Sequence, residues 1–147
     1  MRGQSGGYRV VATAERCGRK REYNDRHPYE GSVMSGFVVR HQSDAPTVPC
    51  PCGFSTRILT AADGGPCSVH VTKIRDSERH FHAETTEVYY VLEGTGRMEL
   101  NGKWFDVSPG SVIRIDAGTR HRLIADEEVT TIVMAMPAFN PADEHFD

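Results

Sequence analysis

No run in this 147-residue chain is apolar enough and long enough to cross a membrane. The opening MRGQSGGYRVVATAERCG also lacks the apolar stretch of a secretory leader, so a cytoplasmic location is the default expectation. A basic excess is missing too. Seventeen Lys and Arg stand against twenty Asp and Glu, a net charge of −3, which gives no electrostatic footprint for nucleic acid. The early cluster Arg16, Arg19, Lys20 and Arg21 is soon followed by acids and reads as a solvated segment. No helix-turn-helix pattern and no long amphipathic helical period occur. Cysteine is sparse: Cys17, Cys50, Cys52 and Cys67. Cys50-Pro51-Cys52 has one spacer residue where a zinc knuckle or thioredoxin-type pair has two, so free thiols are expected, the pair reading as structural with redox or metal chemistry as the alternative.

What remains is the composition of a globular chain, 38% hydrophobic and 25% charged, long enough for one core. Two textures divide it. Residues 1–54 are rich in Gly, Pro, Arg, Ser and Asp and read as an irregular, partly ordered N-terminal extension, with one short strand at GFVVR (36–40) and a proline-rich loop at SDAPTVPCPCG. From Ser55 the chain alternates short β-prone runs with turn signals: ADGGP, EGTG, NGK, SPG, DAGT and ADEE. Asn101-Gly102 between GRMEL and KWFDV is a two-residue hairpin signal. About eight or nine short strands predict an all-β domain over residues 55–147, a sandwich or small barrel. Continuous apolar runs such as VTTIVMAM suggest strands covered on both faces, as at a dimer interface.

The chemistry concentrates in HFHAETTEVYYVLEG, residues 80–94. On a strand, His80 and His82 point to one face, and Glu87 follows after enough chain to turn back. His121, just past the glycine turn DAGT, supplies a third imidazole. An isolated His-x-His is often no more than two solvated side chains. Three imidazoles and a carboxylate in this β context instead read as a centre for iron, manganese, nickel, copper or zinc.

These residues resemble the two linked motifs of the cupin family. His80, His82, Glu87 and Gly94 fit the first motif without a gap, and Gly110, Gly118 and His121 fit the second, with fifteen residues (95–109) between them. Ile74, Asp116 and Ala125 replace a glycine, a proline and an asparagine common in the family; none is a metal ligand there. The resemblance implies a double-stranded β-helix, the cupin jelly-roll barrel, usually homodimeric. It implies one divalent ion on His80, His82, Glu87 and His121, with Fe2+ or Mn2+ favoured and Ni2+, Cu2+ or Zn2+ as alternatives. The implied partner is a small polar or carboxylate-bearing substrate. Dioxygenase, decarboxylase, isomerase and cyclase chemistries all occur in the family. The three-histidine, one-glutamate set leans towards a dioxygenase. The alternative is a non-catalytic cupin that binds or senses a small ligand through its metal.

Alternation from Glu87 places Tyr89 and Val91 on the metal-facing side, with Val88, Tyr90 and Leu92 opposite. Tyr89 is the candidate catalytic residue through its hydroxyl, or else a core ring with its hydroxyl at the rim. Leu123 shares a face with His121, and Met98 with Leu100. Arg57, Lys73 and Arg114 are candidates to neutralise a carboxylate, or are solvated surface charges. His70 reads as a surface histidine or a group beside the metal, and Glu84 as exposed. In the tail, PAFNPADEHFD, Phe139 and Phe146 suggest an arm packed on the barrel, with a lid over the metal as the sharper reading.

Overall fold

Period-two runs punctuated by turn residues fold into ten strands, and no α-helix occurs among the described residues. The structure is a computed structural model and describes residues 36–146. The expectations for the first residues, including the Arg16–Arg21 cluster and Cys17, lie outside the described range. Among the described residues no helix is long and apolar enough to cross a membrane.

The strands are β1 (Thr47–Cys50), β2 (Gly53–Leu59), β3 (Ser68–Asp76), β4 (His80–His82), β5 (Thr86–Glu93), β6 (Gly96–Leu100), β7 (Lys103–Val107), β8 (Val112–Ile115), β9 (His121–Met136) and β10 (Glu144–Phe146). All pairings are antiparallel. β9 is the hub. Its first residues, His121 to Ile124, pair with β4 and β6, and its second half, Val129 to Met136, runs between β3 and β5. One strand thus serves both walls of a curled, jelly-roll sheet. Inward residues of both walls make the core: Ile74, Tyr89, Val91, Met98, Val107, Ile115, Leu123, Val129 and Val133.

Asn101 and Gly102 both adopt positive φ, 47° and 81°, the twist a two-residue hairpin needs between β6 and β7. Gly94, the glycine of the first motif, also has positive φ (79°), and a side chain there would collide with the Glu128 carbonyl. It lets the end of β5 pass against β9.

Four sequence expectations change. ADEE is not a break between strands but a register shift inside β9: Ile74 pairs with Val129, whereas Asp76 pairs with Ile124. The turn-prone residues kink the strand where it crosses from one wall to the other. GFVVR forms no strand, because β propensity without a place in a ladder is insufficient. The sheet begins at Thr47, upstream of the expected change at Ser55, since the proline-rich segment supplies an edge strand, where prolines are tolerated. Finally, Cys50 and Cys52 are joined in a disulfide rather than free. They flank the tight β1–β2 turn, which brings their Cα atoms to 5.2 Å, whereas Cys67 is a free thiol.

Candidate metal centre

Three short stretches converge to build the site. β4 turns His80 and His82 inward, 7% and 3% exposed, while Phe81 between them faces out and stacks on His145. Glu87 is the first inward side chain of β5, 5% exposed. His121 opens β9 directly after the Gly118 turn and lies opposite His80 in the ladder. The positions foreseen as ligands are therefore brought together: one ligand atom from each of the four residues lies within 4.8 Å of the other three.

The hydrogen bonds fix how these atoms are presented. Each imidazole donates Nδ1–H to a main-chain carbonyl: His80 to Glu78 (2.8 Å), His82 to Asp143 (3.0 Å) and His121 to Thr119 (2.9 Å). Carbonyls only accept, so Nδ1 carries the proton and Nε2 turns a lone pair inward. His82 Nε2 is 3.6 Å and His121 Nε2 3.2 Å from Glu87 Oε2. Despite that proximity, Glu87 Oε2 and His121 Nε2 are buried with no hydrogen-bond partner, since a neutral imidazole in this tautomer has no proton on Nε2 to give. Inward lone pairs around a carboxylate repel one another unless a cation sits among them. The donor set and its orphaned atoms fit a divalent ion.

Electrostatics agree. Burial, reinforced by the neighbouring His121, lowers the His80 pKa to about 4, so the ring is neutral and ready to ligate. Burial pushes the Glu87 carboxyl up, and positive charge at the positions of His121, His82 and His80 more than offsets this and takes it below the usual carboxylate value, the effect a cation among the neutral rings would have. Burial, followed by the Glu87 charge, pushes the Tyr89 phenol well above its ordinary value. Tyr89 is inward as expected, 7% exposed, its ring 6.4 Å from that of His121 and its hydroxyl against Glu87. It keeps its proton beside a ligand candidate.

The tail contributes more than expected. β10 pairs with β4 so that Glu144 lies opposite His82 and Phe146 opposite His80, giving those pairs a common face. Glu144 Oε1 is 4.0 Å from His80 Nε2, and burial raises its carboxyl above the ordinary value. Phe139 meets His82 edge-on at 6.3 Å and His70 at 5.8 Å. Asp143 is 8% exposed and its carboxylate accepts from the backbone N–H groups of Ala83, Glu84 and Thr85 and from the Thr85 hydroxyl. Burial pushes its carboxyl up, and those bonds pull it further down, below the usual range. The tail is both a packed arm and a wall of the site. Sequence reasoning missed Asp143 and Glu144; the one local signal was Asn140-Pro141, which starts a capped turn, Asn140 Oδ1 accepting from Ala142 N–H.

The remaining candidates scatter. His70 is not on the surface but buried at 8%, its pKa lowered by burial and by Arg57. Glu84 is exposed as expected. Lys73 pairs with Glu128 (3.1 Å) and Arg114 with Asp116 (3.0 Å), both on the outside, whereas Arg57 turns into the barrel. An open groove of about 410 Å³ beside Arg97, Asp106 and Asp126 contains none of the four ligand candidates.

The cupin domain family model matches residues 68–136. L-ectoine synthase of Halomonas elongata is 33% identical over 95 residues, 62% of this chain and 69% of that protein. A protein from Planctomyces limnophilus, known by crystal structure, is 34% identical with a TM-score of 0.71, covering 78% of this chain and 100% of its own. The ectoine synthase of P. lautus superposes with a TM-score of 0.65 over 72% of this chain and 82% of its own; at 22% identity that likeness concerns the fold.

Proposed function

The chain belongs to the cupin superfamily, and from that premise we propose that it is a metal-dependent enzyme of non-oxidative, ring-closing or dehydrating type acting on a small polar molecule. The observation that carries the reading is the set of inward lone pairs on His80, His82, Glu87 and His121, two of whose atoms are buried without partners. The similarity to L-ectoine synthase supports the chemistry, and the expected lean towards a dioxygenase finds no support among these relatives.

When bound, a divalent ion supplies Lewis acidity at a substrate oxygen. The chain does the rest. The carbonyls of Glu78, Asp143 and Thr119 hold the three imidazoles in one tautomer. Glu87 brings the negative charge that offsets the ion, with the protonated Tyr89 buried beside it. Glu144 is the carboxyl outside the ligand set that faces His80, and its Oε1 is suited to hold the proton that ring closure or dehydration must move.

The test is metal analysis by elemental mass spectrometry, then incubation of the loaded protein with the substrate of L-ectoine synthase, with and without dioxygen. Equal product in both gases supports the reading. Product only with dioxygen restores the oxygenase; metal bound without turnover on any small anion favours a ligand-binding cupin. A protein that takes up no metal refutes the centre itself.

A further inference from the structure

One cation turned towards the barrel interior has no neutralising partner. Arg57 on β2 lies opposite His70 of β3, so both side chains share the inward face. Its Nε is buried without a hydrogen-bond partner, and no carboxylate of the described residues comes within ion-pair distance of its guanidinium. The guanidinium lies over the Phe139 ring at 5.6 Å, and Phe139 meets His82 edge-on at 6.3 Å. A single aromatic ring therefore separates the cation from a ligand candidate. Its charge reaches both Glu144 and His70. The two rival cations, Lys73 and Arg114, are taken by Glu128 and Asp116 on the outer surface.

A planar fork with a buried, unsatisfied donor is costly until an acceptor arrives, and carboxylates fit that fork in bidentate fashion. The Phe139 ring holds the cation from one side, and the orphaned Nε–H remains to donate. We propose that Arg57 is the anion-binding residue of the metal site: it receives the carboxylate, or a comparable oxyanion, of a small substrate whose other polar group sits at the His80–His82–Glu87–His121 centre. This rests on the metal reading above and narrows it to anionic substrates, excluding neutral polyols and free bases.

Succinate and its uncharged diamide, succinamide, serve as probes, titrated calorimetrically into manganese-loaded wild type, Arg57→Gln and Arg57→Lys, with manganese measured in each sample. Wild type binds succinate at least about tenfold more tightly than the diamide. Arg57→Gln loses about tenfold to a hundredfold in succinate affinity, with manganese content and diamide binding unchanged. Arg57→Lys, which keeps the charge but not the fork, falls between, and it carries the test should the glutamine variant not fold. Unchanged succinate affinity in Arg57→Gln at full manganese occupancy overturns the Arg57 assignment and leaves the metal reading intact, as does a wild type without preference for the anion. A wild type that takes up no manganese removes the metal reading instead, and the same titrations on metal-free protein then decide Arg57 alone.

Discussion

His82 is held from both ends: its Nδ1 gives a proton to the Asp143 carbonyl, and its Nε2 faces Glu87. Replacing it with alanine removes a ligand atom but leaves β4 paired on both sides. His82→Ala is expected to lose metal affinity by about a hundredfold or more, as measured by competition with a chelating dye, while keeping its β-sheet circular dichroism. His80 makes a second prediction. Its pKa in the folded, metal-free protein is lowered to about 4, against 6.5 for an ordinary histidine. Between those values the unfolded chain takes up a proton that the folded chain refuses, so stability falls as pH drops from 6.5 towards 4. Thermal melting of chelator-treated protein across that range reads the slope; a flat profile would show that His80 is more hydrated than its 7% exposure implies. At this scale the sequence was informative. His80 with His82 and Glu87 with Tyr89 could be picked out because period-two alternation decides which side chains share a face, and Glu87 and His121 because turns and motif spacing set them apart. Asp143 and Glu144 could not, because their importance comes from contacts with residues some sixty positions earlier, such as Asp143 with His82 at a separation of 61.

Strand identity was legible wherever apolar alternation met a turn, and the Asn101-Gly102 hairpin follows from its two residues alone. It failed where the ladder decides. ADEE carries the composition of a turn, yet the pairing of the residues before and after it keeps it within β9 and turns the signal into a kink. TVPC carries a proline at its centre, yet forms an edge strand against β2, where Thr47 Oγ1 meets Thr56 Oγ1 at 2.8 Å. The loop between β4 and β5 depends most on a distant element. Three consecutive N–H groups, Ala83 to Thr85, donate to one carboxylate, that of Asp143. Asp143→Asn keeps the shape but loses the charge-assisted acceptor and turns N–H donors against N–H donors. It should cost about 1–3 kcal/mol in a denaturant melt and loosen metal binding about tenfold, because the same segment supplies the carbonyl that orients His82. Full metal affinity in a destabilised Asp143→Asn would mean that the loop and the histidine are held independently.

Across the molecule, the outer face of the wall made by β3, β9, β5 and β8 carries one apolar row, in which Val71, Ile132, Tyr90 and Val112 lie side by side in the ladders, and a second row, Val69, Met134 and Val88, that ends on Arg114. Tyr90 and Val112 are 41% and 63% exposed. A largely apolar face of this kind marks an interface, and the run VTTIVMAM had already suggested strands covered on both sides. A homodimer through this face is expected: light scattering should give twice the 16.3 kDa chain mass, and Tyr90→Glu combined with Val112→Asp should give the monomer with metal still bound. A monomeric wild type would require another partner for the face.

β10 has one more consequence. By pairing with β4 it occupies the open hydrogen-bonding rim of a three-residue strand in the metal-facing wall. Strip the tail and that rim is bare, ready to recruit a strand from another molecule. A truncated chain would therefore aggregate as well as lose a wall of the metal site, so lost turnover on its own would misreport what the tail contributes. Turbidity recorded alongside turnover separates the two, and a charged residue placed on the bared rim should restore solubility without restoring activity.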